Sequence, residues 1–261
     1  GQRGLVGRDD ELAALHAALD ACAGRRPVVV ELHGRSGTGK SALTDRFLDE
    51  ASRRADTIVL RGRCYERESV PYKAFDSLID ALSGYLRGMT EAELAELLPE
   101  HVGDLVRLFP VLARVGALDG GRKKGAAGKE QRDQQDLRRR AFRALKCLLG
   151  TLAGRVTLVL AIEDVQWGDR DSGQMLREIL SPPGAPWMLL LLNYRTEAAA
   201  DSPFLAEYRG EGRGDDQGTG EHGELDTRTV VLGALGPAHA RELAAALLSL
   251  PVEDPRVAKI A

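Results

Sequence analysis

Apolar positions along the chain follow two spacings that take turns. Short continuous apolar runs lie at Val28–Leu32, Thr57–Arg61, Val156–Ile162, Trp187–Asn193 and Thr229–Leu232. They have the length of strands, and the runs at 156–162 and 187–193 (WMLLLLN) read as strands covered on both faces. Between them, apolar residues recur every three or four positions. Leu12, Leu15, Leu19 and Cys22 follow an Asp9 placed to cap a helix start, and Leu43, Phe47 and Leu48 face inward on a second helix. Phe75, Leu78, Ile79, Leu82 and Leu86 mark a helix over 72–86, and further helices are expected over Glu91–Leu98 and Val102–Val115. A long one from about Gln134 to Leu152 carries Leu137, Ala141, Leu145 and Leu148, and a last one spans Ala238–Leu250. Strands alternating with helices predict an α/β fold with a central, mostly parallel β-sheet flanked by helices.

Two stretches break the pattern. Residues near 117–136 hold almost no large apolar side chain and read as a mobile insertion or helix lead-in, and residues near 209–228 are rich in glycine and charge. The basic half of the first invites a phosphate-contact reading. A solvated surface excursion is the alternative, because no aromatics interleave with the charges. Gly62 to Glu68 forms a polar connection at the sheet's edge. The expected organisation is one large α/β domain over 1–233 and the beginning of a helical subdomain over 234–261.

Composition narrows the function classes. The 261 residues are 43% hydrophobic and 29% charged, with only 5% aromatic, so the core must be built from Leu, Val and Ala. A net charge of −3 argues against direct nucleic-acid binding. Three cysteines without C-x-x-C spacing, no apolar run of membrane-spanning length and no basic-then-apolar leader predict a reduced, cytoplasmic protein with no membrane contact. The missing initiator Met and the ending at Ile260 and Ala261 lead us to expect an excised fragment with further domains on one or both sides.

The chemistry is concentrated where the first strand ends. Gly34, Arg35, Ser36, Gly37, Thr38, Gly39, Lys40 and Ser41 fit G-x-x-x-x-G-K-[ST] between a strand and a helix start. The glycines let successive backbone N–H groups turn inward around phosphate oxygens, and the helix N-terminus aims its positive end at the anion. Lys40 is placed to reach the β- and γ-phosphates and Ser41 to put its hydroxyl on Mg²⁺.

Glu163 and Asp164 follow the 156–162 strand directly, at its carboxyl end, where open α/β sheets place ligands. Beside a phosphate loop, one acid anchors Mg²⁺ and the other orients or deprotonates the attacking water. As successive strand residues they would point to opposite faces. The alternative is that both cap the following loop, and Asp169 and Asp171 read as loop and helix-cap residues. Arg195, two residues past its strand, arrives at the same edge, either to sense a γ-phosphate or to make a surface ion pair. The five histidines show no ligand spacing.

Together, residues 5–12 (LVGRDDEL), 34–41, 158–169 (LVLAIEDVQWGD) and 190–195 (LLLNYR) resemble the STAND branch of AAA-type ATPases. These are modules of bacterial LuxR-type regulators and of multidomain serine/threonine kinases, and residues 62–72 look especially like the kinase-linked versions. The resemblance implies a P-loop NTPase of ASCE/AAA type with ATP and Mg²⁺ as cofactors. Val6, Gly7 and Arg8 would lie against the adenine, Glu163 would take the Mg²⁺-side acid, Asp164 the water side and Arg195 the sensor position. The family's first acid is commonly Asp, and here it is Glu.

The implied function is an ATP-binding, slowly hydrolysing switch of a signal-transduction protein. Its partners would be ATP or ADP, the flanking kinase, DNA-binding or repeat-sensor domains, and other copies of itself in a nucleotide-dependent way. The alternatives are a nucleotide-binding module with negligible turnover, an origin-recognition-like DNA-loading ATPase, and a small-molecule kinase.

Overall fold

The apolar runs assemble into a five-stranded parallel sheet: β1 (Val28–Gly34), β2 (Thr57–Arg63), β3 (Thr157–Glu163), β4 (Met188–Arg195) and β5 (Asp226–Leu232), in the order β2-β3-β4-β1-β5. This is a computed structural model, and it describes residues 5–66, 71–116, 118, 130–210 and 225–260. Around the sheet run α1 (Asp9–Cys22), α2 (Lys40–Ser52), α3 (Lys73–Leu86), α4 (Glu91–Leu97), α5 (Val102–Leu108) and α6 (Glu130–Ala153). They are followed by α7 (Arg170–Leu180), α8 (Pro203–Arg209), α9 (Pro237–Leu248) and α10 (Pro255–Ala258).

Strand alternation divides the apolar side chains between two cores. On β3 and β4, Leu158, Leu160, Ile162, Met188, Leu190 and Leu192 pack on one side with α3 to α8, whereas Val159, Ala161, Leu189 and Leu191 pack on the other with α1 and α2. Both central strands are therefore apolar on both faces, which is why neither shows a polar/apolar alternation in sequence. The layers are helix, sheet and helix, as the spacing predicts, and the parallel direction brings every strand's carboxyl end to one edge.

Several boundaries differ from the sequence reading for identifiable reasons. Asp9 is the first helical residue, and the cap position falls to Arg8, which makes no side-chain cap bond. The helix expected over 102–115 stops at Leu108, because Pro110 has no N–H to donate and disfavours helical backbone at Phe109 (φ −125°, ψ 86°). A 3-10 turn over Pro110–Arg114 follows. The long helix starts at Glu130, so residues 130–136 of the expected insertion are helical. Most of both Gly-rich stretches, and residues 67–70 of the connection after β2, lie outside the described residues.

The helices α7, α8 and α10 are additions to the elements that the apolar spacing predicts. Asp169 caps α7 by accepting from Ser172 N at 2.8 Å, and its carboxylate also accepts from Tyr72 N at 3.1 Å and Lys73 N at 3.2 Å, at the start of α3. One side chain thus ties two helix starts together, which agrees with the cap reading of this residue. Among the described residues no helix is long and apolar enough to cross a membrane.

Candidate functional site

The loop between β1 and α2 holds Gly37 at φ 81° and Gly39 at φ 94°, a conformation that a side chain would strain and that turns consecutive amides toward one point. Lys40 opens α2 and is 8% exposed; its Nζ donates to the carbonyls of Gly34 at 2.8 Å and Arg35 at 2.9 Å. Burial pulls the Lys40 pKa below the usual lysine range, while the Glu197 carboxylate pushes it up, Arg195 pulls it down and Asp164 pushes it up. Residues from three separate parts of the chain therefore act on one ammonium.

Sheet register explains the meeting. β4 pairs with β1 on one side and β3 on the other, and Gly34 stands opposite Arg195, so the strand carries Arg195 to the first residue of the loop. Arg195 closes the strand itself, two residues further along it than the sequence reading placed the strand end. Arg195 N donates to Gln166 Oε1 at 3.1 Å, and Gln166 Nε2 donates to Asp164 Oδ1 at 3.1 Å. Gln166, two residues past the acid pair, thus links its second acid to the arginine.

The two acids are separated by a turn, where the sequence reading placed both on the strand pleat. Glu163 ends β3 on the face of Val159 and Ala161, toward α2, and is 1% exposed. Asp164 has left the strand in the left-handed region (φ 55°, ψ 39°), which aspartate tolerates better than most residues. Each acid has an arginine from the edge strand β2. Arg61 is paired with Glu163 and also bonds Asp45 Oδ1 at 2.6 Å, and Arg63 Nη2 lies 2.7 Å from Asp164 Oδ2.

Asn193, 2% exposed, joins the two acids. Its Oδ1 accepts from Asp164 N at 2.9 Å, and its Nδ2 donates to Glu163 Oε2 and Thr44 Oγ1, both at 3.3 Å.

Arg8 is buried and bridges segments: Nη2 donates to Thr38 O at 3.0 Å and Gly233 O at 2.6 Å, and Nη1 pairs with Glu11 at 2.9 Å. It binds the loop's backbone to the chain leaving β5. Beside it opens a cavity of about 690 Å³ lined by Leu5, Val6, Gly37, Thr38, Leu235 and Leu243 among others. Apolar walls next to phosphate-loop amides suit a purine and its phosphates. Gly7 does not line this cavity; a Cβ on it would stand 2.4 Å from His239 Cγ, so its lack of a side chain lets α9 approach.

A nucleotide fits this arrangement on the loop's positive-φ glycines and the apolar cavity. Mg²⁺ fits in donor chemistry, since Ser41 is exposed on the first turn of α2 and Glu163 faces Thr44 and Asp45 one turn on. Among the described residues no cluster of three or more His, Cys, Asp or Glu is assembled for a metal. The residues that sequence reasoning missed are Arg61, Arg63, Gln166, Asn193 and Glu197. Asn193 alone left a signal, as a polar end to an otherwise apolar run, because a buried amide demands partners.

No curated protein matches the chain. Among solved structures, a Walker-type ATPase of Pyrococcus abyssi matches with TM-score 0.52 and 16% identity, over 98% of this chain and 62% of its own. The ORC1 protein of Aeropyrum pernix, solved in complex with DNA, matches with TM-score 0.50 and 14% identity, over 95% of this chain and 50% of its own. At these identities the likeness is one of fold, and the chain spans about half to three fifths of the neighbours' lengths. The model of the AAA ATPase domain matches residues 4–192, a stretch that holds the phosphate loop and both acids. The chain therefore belongs to the AAA ATPase domain family.

Proposed function

We propose that the chain is an ATP- and Mg²⁺-binding switch module that hydrolyses ATP slowly and passes its nucleotide state to neighbouring domains of a bacterial signal-transduction protein. The observation that carries this reading is the meeting of Lys40, Asp164 and Arg195 at one phosphate loop, next to a cavity with apolar walls. In this reading the base lies against Leu5, Val6 and Leu235, with Arg8 holding the loop to the β5 exit. The amides of residues 34–41 hold the phosphates, and Lys40 exchanges its two carbonyl partners for phosphate oxygens.

Arg195 reads the γ-phosphate as a fixed, forked donor, and Asp164 orients the water that attacks it. Ser41 and Glu163 would hold Mg²⁺, which would supply charge neutralisation to the phosphates. The partners we propose are the domains flanking this one in the parent polypeptide, a kinase or DNA-binding output and a repeat sensor, with nucleotide-dependent self-association in the cytoplasm.

Calorimetric titration and steady-state phosphate release test this. Lys40→Ala should weaken ATP binding roughly 10- to 100-fold, the loss of a charge-assisted contact to phosphate, while the fold survives. Equal ATP affinity in the two proteins would remove the loop assignment. Phosphate release should require Mg²⁺; tight binding with no release would instead make the module one that signals by occupancy alone.

A further inference from the structure

A carboxylate already rests on the phosphate loop. Ser36 N donates to Glu197 Oε1 at 3.0 Å. Glu197 lies in the 3-10 turn Thr196–Ala198 that continues β4, two residues past Arg195. The turn is seated against β1 by a hydrogen bond between His33 Nδ1 and Thr196 Oγ1 at 3.0 Å. The carboxylate is thus delivered by an anchored turn.

The surroundings favour an anion there. The Glu197 carboxyl is held below the usual carboxylate range by its own backbone N–H and that of Ser36, then by the charges of Lys40 and Arg35. Lys40 in turn responds more strongly to Glu197 than to Arg195 or Asp164. An acceptor for a loop amide that also neutralises the loop lysine does what a phosphate oxygen does. Its arrival from the Arg195 side, where Gly34 stands opposite Arg195 in the sheet, indicates which phosphate it imitates. It is the terminal one.

We propose that Glu197 is a specificity-determining residue that competes with the terminal phosphate of a nucleoside triphosphate for Ser36 N–H and Lys40. This rests on the reading of the loop as a nucleotide site. A diphosphate leaves the contact in place. A triphosphate displaces it and frees the 196–198 turn, which leads into α8, so the exchange reports the third phosphate to the β4–α8 connection.

Titration of the 261-residue chain with ATP and with ADP, in the wild type and in Glu197→Gln and Lys40→Ala, tests the proposal. Glu197→Gln keeps the shape and removes the charge, and should tighten ATP binding about tenfold while ADP changes less than about twofold, as removal of a charge-assisted competitor predicts. Glu197 is exposed, so the variant should melt with the wild type in the absence of nucleotide. If Lys40→Ala weakens ATP binding but Glu197→Gln leaves it unchanged or weaker, the competition is wrong and the nucleotide site stands. If ATP and ADP tighten equally, the carboxylate does not single out the terminal phosphate and the proposal falls. If Lys40→Ala has no effect, both readings fall together.

Discussion

Asp169 offers the clearest separation of scaffold from chemistry, because it lies five residues after Asp164 yet spends its carboxylate on two helix starts. It accepts from Ser172 N at 2.8 Å and Ser172 Oγ at 2.6 Å on α7, and from Tyr72 N at 3.1 Å and Lys73 N at 3.2 Å on α3. In Asp169→Ala the lost α7 cap costs about 1 kcal/mol, and the amides of Tyr72 and Lys73 lose a charged acceptor worth about 1–2 kcal/mol together. The sum, about 2–3 kcal/mol, should lower the melting temperature by roughly 5–10 °C in a chain of this size. Asp169→Asn keeps one acceptor oxygen and should lose about half as much. Asp171 supplies the control: its contact with Arg138 is a half-exposed pair at 3.5 Å, and Asp171→Ala should cost about 0.5 kcal/mol or less. Thermal melts followed by circular dichroism measure the first quantity, and calorimetry at a temperature where all variants are folded measures ATP affinity. A melting temperature unmoved by Asp169→Ala, or an ATP affinity lost in a variant that is still folded, would refute the assignment of this residue to helix capping.

Other consequences are independent of that one. Arg195→Ala should lower the ratio of ATP to ADP affinity about tenfold, since in the proposed reading only the triphosphate reaches the strand edge; equal losses for both nucleotides would return Arg195 to a surface ion pair. Gly7→Ala places a Cβ 2.4 Å from His239 Cγ at a backbone φ of 62°, so it should destabilise the chain by about 1–3 kcal/mol, read as a lower urea midpoint. Thiol labelling should find Cys147, which is exposed, within minutes, and Cys22 and Cys64, which are buried, only on unfolding. Burial pushes the Cys22 thiol up to about 11, so the folded state holds a proton that the unfolded chain releases from about pH 9. The associated stability is complete below pH 9 and is lost as pH rises through 11, a fall of about 2–3 kcal/mol that Cys22→Ala should not show in urea titrations across that range.

The fold was legible because its signals are local. Val28–Leu32, Val156–Ile162 and WMLLLLN each announce a buried strand by composition alone, and the helix of 72–86 announces itself by spacing. The errors follow from effects that spacing does not carry. Pro110 cuts one expected helix into α5 and a 3-10 turn. The helix α7 buries Met175, Leu176, Ile179 and Leu180, but within only 11 residues, a short window in which the helical period is weak.

The site was legible in its motif and illegible in its pairing. Glycines and lysine in loop 34–41 announce their geometry, since the left-handed backbone at Gly37 and Gly39 is a property of the residue type. The partners of the acids are not local. Arg61 and Arg63 stand about a hundred residues before Glu163 and Asp164, and only the β2–β3 register, with Arg63 opposite Glu163, brings them together. Register likewise sets Arg195 beside Gly34 and leads Glu197 to Ser36.

That pairing bears on the two acids directly. Glu163 and Asp164 each meet a β2 arginine, so neither is an isolated carboxylate awaiting a ligand. Glu163 faces α2, where Ser41 stands one turn before Thr44 and Asp45, and Asp164 turns away toward Gln166, within electrostatic reach of Lys40. The roles should therefore divide by position. Glu163→Gln should raise the Mg²⁺ concentration needed for tight ATP binding, and Asp164→Asn should leave ATP bound and slow its hydrolysis by about 10²–10⁴. Arg63→Ala removes the arginine of Asp164 while leaving the Arg61–Glu163 pair in place, and should alter hydrolysis more than the Mg²⁺ requirement. Single-turnover hydrolysis and Mg²⁺ titration of the three variants read these effects separately, and a Mg²⁺ requirement that follows Asp164 in place of Glu163 would exchange the two roles.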